Sequence, residues 1–213
     1  MTRASTMQKG RRTPAFFFAP VFRAGPALVY ACASQGTVME HSTNIYLIGP
    51  MGSGKSAVGR RLAAELQLEF HDSDEEIEAC TGVDIPLIFD KEGEAGFRRR
   101  EEAVIDKLAG MNGILLATGG GSPVSAKSRA RLASSGTVVY LYTTVPEQMR
   151  RTKKSTHRPL LQCDDPAAVL EALMQERDPL YREIADIIIK TDGRRVASVV
   201  KEITKRLQED GHS

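Results

Sequence analysis

The chain has 213 residues, 41% of them apolar and 26% charged, which is enough for one well-buried domain and short for two. Its formal charge of +2 is unevenly spread: residues 1 to 39 carry Arg3, Lys9, Arg11, Arg12 and Arg23 with no acid, leaving 24 basic against 27 acidic residues in the remainder. That mildly acidic remainder speaks against nucleic acid as a partner, which needs clustered Lys and Arg to displace counterions. The three widely spaced cysteines, Cys32, Cys80 and Cys163, speak against a disulfide framework or a zinc site.

No apolar run approaches the roughly 20 residues that span a bilayer, so the expectation is a soluble cytoplasmic protein with reduced thiols and no membrane partner. Residues 1–42 contain Pro14, Pro20, Gly25 and Pro26 around Phe16 to Phe18, with neither helical nor strand period. They are expected to form a leader outside the core. Three readings of that leader stay open. It could be a cleaved organelle-targeting peptide, which would make the location plastid, a disordered tail, or translated sequence upstream of a start at Met39.

From Asn44 the pattern becomes regular. Ile45 to Ile48 is a short apolar run ending in glycines, and Ser56 to Gln67 follows with Val58, Leu62 and Leu66 spaced by four, which predicts strand, turn, helix. Leu68 to His71 is a weaker strand candidate. Further apolar runs at Ile114 to Ala117, Val138 to Tyr142 and Ile187 to Ile189 are separated by helical stretches. That alternation predicts an α/β fold: a five-stranded parallel sheet flanked by helices. The closing stretch Val196 to Leu207 repeats apolar residues at helical spacing and is expected to pack on the sheet.

Between the first strand and helix, Gly49-Pro50-Met51-Gly52-Ser53-Gly54-Lys55-Ser56 fits the phosphate-loop pattern G-x-x-x-x-G-K-[ST]. Glycines let backbone N–H groups turn inward around phosphate oxygens, and the helix N-terminus adds positive potential. Lys55 can reach the outer phosphates, and Ser56 can ligate Mg²⁺. The loop implies a nucleoside triphosphate and leaves the acceptor open.

Several motifs follow in one order: Asp72-Ser73-Asp74 at a strand's end, Phe97-Arg98-Arg99-Arg100-Glu101, Gly119-Gly120-Gly121, Arg158-Pro159-Leu160-Leu161 and Arg177-Asp178-Pro179-Leu180-Tyr181. Taken singly, each has a plain structural reading. Asp72 or Ser73 could cap a helix, the basic triplet could be a solvated helix face, and the glycines a flexible turn. On an extended chain, Asp72 and Asp74 would project to one side, towards the phosphate loop. The basic-to-acidic run Arg150 to Asp165 suits a mobile lid, over about residues 152–165.

The ordered set resembles shikimate kinase, a P-loop NTPase fold with substrate-binding helices and a lid, over about Asn44 to Leu207. The resemblance implies transfer of the γ-phosphate of ATP to the 3-hydroxyl of shikimate by a monomer with one Mg²⁺. It implies that Gly52, Ser53, Gly54, Lys55, Ser56 and Ala57 hold the nucleotide, with Arg151 stacked on adenine and Arg194 a late nucleotide contact. Ser56 and Asp72 would serve the metal, Asp74 would take the acceptor's proton, and Arg158 would descend over the transferring phosphoryl. Arg98, Gly120 and Arg177 would join Asp74 in binding the acid. A gluconate or nucleotide kinase should lack the combination of Asp74, Arg98, Gly120 and Arg177, and a non-catalytic binding module would need neither Asp74 nor Arg158.

Overall fold

The structure is a computed structural model that describes residues 44–153 and 165–210. Its centre is β1, Asn44–Ile48, all five residues of which are buried. A strand so buried must be apolar on both faces. Ile45 and Leu47 pack into one core, while Tyr46 and Ile48 pack into another on the opposite side.

β1 is followed by α1 (Lys55–Leu66), β2 (Glu69–Asp72), α2 (Ser73–Thr81), α3 (Ile85–Leu108) and β3 (Ile114–Ala117). A short 3₁₀ turn, Ser122–Val124, leads to α4 (Ala126–Ser135), β4 (Gly136–Tyr142), α5 (Val145–Thr152), α6 (Pro166–Ile184), β5 (Ile187–Lys190) and α7 (Val196–Asp210). The strands form one sheet in the order β2-β3-β1-β4-β5, and every pair is parallel. The five expected strands are therefore all present, as is the closing helix. The apolar residues of α7 join those of α1 on the Ile45 and Leu47 face, and residues of α2, α3, α4 and α6 cover the Tyr46 and Ile48 face.

One boundary differs from the sequence reading. β2 ends at Asp72, whose side chain accepts from Asp74 N at 3.1 Å, so α2 begins at Ser73. Asp74 thus stands in the first helical turn, and the two carboxylates are not both on an extended chain. The strong N-cap explains the early start, and Asp74, Glu75 and Glu76 favour that end of the helix dipole. The expected lid at about 152–165 is bounded by the end of α5 at Thr152 and the start of α6 at Pro166. Residues 154–164, Arg158 among them, lie outside the described residues, as does the leader.

The parallel register places every strand's carboxyl end at one edge, with β1 between β3 and β4. The chain leaves β1 for one side and later returns to the other, so the crevice at that edge is a topological switch point. Helix α1 starts there, capped by Gly54 at φ +94°, a backbone conformation that L side chains rarely adopt.

α1 lies close on the sheet because of Gly59. A Cβ added there would stand 2.5 Å from the Phe70 ring and 3.1 Å from Leu115 Cδ2. Gly59→Val should therefore lower stability by about 1–3 kcal/mol through overpacking. A thermal melt should show Tm falling by about 3–10 °C.

Candidate active site

At the carboxyl edge, Gly52, Gly54, Lys55, Ser56, Ala57, Asp72, Asp74, Gly120 and Arg151 line one cavity of about 290 Å³, together with Met51, Thr118 and Gly119. Nine residues expected from the sequence to serve one site are thus found around one space. Ser53, also expected there, is a buried member of the loop, with its hydroxyl 3.4 Å from Lys55 Nζ. Lys55 donates to the carbonyls of Gly49 at 2.8 Å and Pro50 at 2.9 Å. Ser56 Oγ donates to Asp72 Oδ2 at 2.6 Å. Asp72 therefore caps α2 and also reaches the phosphate loop, so the capping and functional readings of this residue coexist.

Thr118 N donates to Leu47 O at 3.0 Å, which sets the end of β3 beside the phosphate loop. The glycine triplet follows, and side chains from three helices crowd around it. A Cβ on Gly119 would fall on Glu101 Oε1 and within 3.0 Å of Asp74 Oδ1, and one on Gly121 would fall on the Arg98 guanidinium. Arg177 Nη1 lies 3.5 Å from Gly120 O. Gly119 and Gly121 are thus required by close approach, and Asp74, Arg98 and Arg177 meet around the triplet.

Phe97 is buried in the core and anchors α3, with Arg98 beside it. Arg98 Nη1 donates to Glu101 Oε2 at 2.6 Å, and Arg98 Nη2 donates to Glu94 Oε1 at 3.0 Å. Burial opposes its charge, but Glu101 and Glu94 outweigh that and raise its pKa, so Arg98 is a cation at any working pH. Arg177 is only 8% exposed, and its Nε has no hydrogen-bond partner among the described residues. A buried guanidinium with spare donors suits an anion.

Glu101 received no role from the sequence, yet it is 2% exposed and accepts from both Arg98 and Ser122 Oγ, the latter at 2.6 Å. Its spacing of i+3 from Arg98 was the available signal. Arg100 forms an exposed pair with Glu92, in keeping with a surface charge.

Arg151 is more embedded than its expected contact with adenine required. Its Nε donates to Glu147 at 2.7 Å, its Nη1 to Gly52 O at 3.0 Å and its Nη2 to Thr191 O at 2.7 Å. It buttresses the phosphate loop from α5, a role no local pattern signals. Arg194 is tied to α7 through Ser198 O at 3.0 Å and Glu202, and it does not line the phosphate-loop cavity.

A parallel sheet in this order, with a phosphate loop after β1 and an acidic and basic acceptor side at the same edge, defines a P-loop kinase. A family model described as shikimate kinase matches residues 51–208. A shikimate kinase of Halorhodospira halophila is 58% identical over 166 residues, covering 78% of this chain and 94% of its own length. A solved shikimate kinase from Acinetobacter baumannii in complex with shikimate has a TM-score of 0.78 and 48% identity, covering 79% of this chain and 94% of that one. The Aquifex aeolicus enzyme has a TM-score of 0.70 and 37% identity, covering 78% and 97%. The chain belongs to the shikimate kinase family. It is an ATP-dependent phosphotransferase.

The Arg151 buttress depends on Glu147, whose carboxyl is held at about 2, mainly by the Arg150 hydrogen bond and despite some burial. A folded pKa below the ordinary 4.5 stabilises the fold above that value, and the contribution fades as pH falls from 4.5 towards 2. Glu147→Gln should therefore melt below the parent by a constant margin above about pH 5, and the margin should narrow in more acid buffers. Its KM for ATP should rise about three- to tenfold through the loosened loop, measured by steady-state kinetics.

Proposed function

We propose that this chain phosphorylates the 3-hydroxyl of shikimate with the γ-phosphate of ATP, using the residues gathered at the carboxyl edge. The observation that carries the assignment of parts is the meeting of Asp74, Arg98 and Arg177 around Gly119 to Gly121, beside the phosphate loop. Two largely buried guanidinium groups suit a small carboxylate. An alcohol or sugar lacking the acid would leave them unpaired, which is a basis for rejection.

In this reading the loop's N–H groups and Lys55 hold the polyphosphate, with Gly52 to Ala57 around it and Arg151 beside the adenine. Arg98 and Arg177 clamp the acceptor's carboxylate, and Gly120 N–H approaches its ring. Asp74 takes the proton of the attacking hydroxyl. The new O–P bond forms as the γ-phosphorus leaves the β-phosphate, releasing ADP without a phosphoenzyme. Arg158, outside the described residues, would close over the phosphoryl and exclude water.

Ser56 and Asp72 offer the hard oxygen donors that Mg²⁺ prefers, 2.6 Å apart at the phosphate end of the cavity. Mg²⁺ held there would neutralise charge on the β- and γ-phosphates. No helix among the described residues is long and apolar enough to cross a membrane. The setting we assign is a cytoplasmic monomer whose catalytic domain is residues 43–213, with residues 1–42 as a separate leader.

The direct test is purified protein with MgATP and shikimate, followed by ADP release and identification of the phosphorylated product. An absence of shikimate-dependent turnover would sink the reading. Arg98→Ala should cost about 2–5 kcal/mol in kcat/KM for shikimate while leaving ATP affinity nearly intact. Arg98→Lys, which still counters buried Glu101 but lacks the planar fork, should show the same selectivity with a smaller loss. A matched loss of ATP binding would mean Arg98 has been misplaced.

A further inference from the structure

The run Arg177-Asp178-Pro179-Leu180-Tyr181 contributes only Arg177 to the function above. Tyr181 stands one helical turn further along α6, so both side chains come from one face of that helix. It is 1% exposed and belongs to the core cluster on the Tyr46 face of the sheet. Its ring lies against that of Tyr140 with centroids 4.9 Å apart. Burial pushes the phenol's pKa up, so the hydroxyl is a neutral donor at every working pH. That hydroxyl donates to the carbonyl oxygen of Gly120. The same oxygen lies 3.5 Å from Arg177 Nη1.

Three successive glycines have more backbone freedom to lose than any other tripeptide, so a fixed loop needs anchors along its length. Its two ends are held independently of α6. Gly119 N donates to Ser73 Oγ at 2.8 Å, Gly119 O accepts from Ser122 N at 3.2 Å, and Gly121 O accepts from Val124 N at 2.9 Å. The middle residue is held differently. The space a Cβ on Gly120 would occupy brings it only into ordinary contact, 3.4 Å from Met51 N, so crowding alone does not dictate its conformation. The Tyr181 hydroxyl pins the Gly120–Gly121 peptide, which fixes ψ of Gly120. The direction of the N–H at the other end of that residue then follows from a restrained backbone.

We infer that Tyr181 is a positioning residue for the acceptor. Its hydroxyl sets the conformation of Gly120 and, through the shared carbonyl oxygen, the placement of the Arg177 guanidinium. The inference rests on the assignment of Gly120 and Arg177 as acceptor contacts. It extends that assignment by placing the alignment of two binding groups on one buried phenol. The effect is specific to the acceptor half, because the nucleotide half is braced from elsewhere, by Arg151 and Thr191. Tyr140 is the natural control. It too is a fully buried tyrosine, but its hydroxyl donates to Asp178 Oδ1 at 2.7 Å and not to the loop.

The test compares the full chain with Tyr181→Phe, Tyr140→Phe and Arg177→Ala. Phenylalanine at 181 keeps the ring that packs on Tyr140 and removes only the donor. Tyr181→Phe should raise KM for shikimate about three- to tenfold, the worth of one neutral hydrogen bond, with KM for ATP changed by less than about twofold. Tyr140→Phe should leave both constants within about twofold of the parent. The rise in Tm on adding shikimate reads binding without turnover. It should shrink in Tyr181→Phe, while the rise on adding ADP is kept.

An unchanged KM and an unchanged shikimate-induced Tm shift in Tyr181→Phe, with Arg177→Ala impaired for shikimate, would overturn this inference and leave the acceptor assignment standing. A parallel rise of both KM values in Tyr181→Phe, or an equal effect in Tyr140→Phe, would mark a merely structural role and overturn it too. If Arg177→Ala itself kept the parent's KM for shikimate, the acceptor assignment would fall and this inference with it.

Discussion

The site depends on the register of β1 between two parallel neighbours. Leu47 pairs with Ala117 of β3, and Ile48 pairs with Tyr140 of β4. Those pairings bring the turn after β1 and the turn after β3 to the same height at the same edge. The first turn is the phosphate loop and the second is the glycine triplet. A shift of one residue would turn every side chain of β1 to the opposite face, driving Tyr46 and Ile48 into the core shaped for Ile45 and Leu47. The buried core on both sides therefore locks the spacing between the phosphate loop and the glycine triplet.

Charge around this edge is arranged by helices entering from different directions. α2 brings Asp74, α3 brings Arg98 together with Glu101, and α6 brings Arg177. Like and unlike charges so close together are costly to bury unless each has partners. Glu101 answers part of the Arg98 charge and is itself held by Ser122. Arg177 keeps spare donor capacity in a nearly closed setting. The site is thus poised for a small anion by the incomplete pairing of a buried cation, which is also why a neutral acceptor would fit it poorly.

The nucleotide side follows a different logic. In the function proposed above the phosphates fall to backbone N–H groups, whose directions come from the loop, and the loop itself is held by side chains. Lys55 bonds the loop's own carbonyls, and Arg151 ties the loop to the end of β5 through Thr191. Residues that act by holding backbone in place leave weak local signals, because any donor at the right point in space would serve.

The sequence by itself determined the fold class, all five strands, the closing helix and the phosphate loop. These depend on local period and on glycines at fixed offsets, which are properties of neighbouring residues. Through the family resemblance they carry, the ordered motifs also suggested Asp74, Arg98, Gly120 and Arg177 as acceptor residues. Only the tertiary structure decided what depends on residues far apart in the chain. It moved Asp74 from a strand to a helical turn through the Asp72 cap, revealed Glu101 and Tyr181 as partners of the site, and set Arg194 against α7 and away from the loop cavity. Periodicity records which face of an element is buried, but which polar group a buried side chain meets is settled only when separate elements pack.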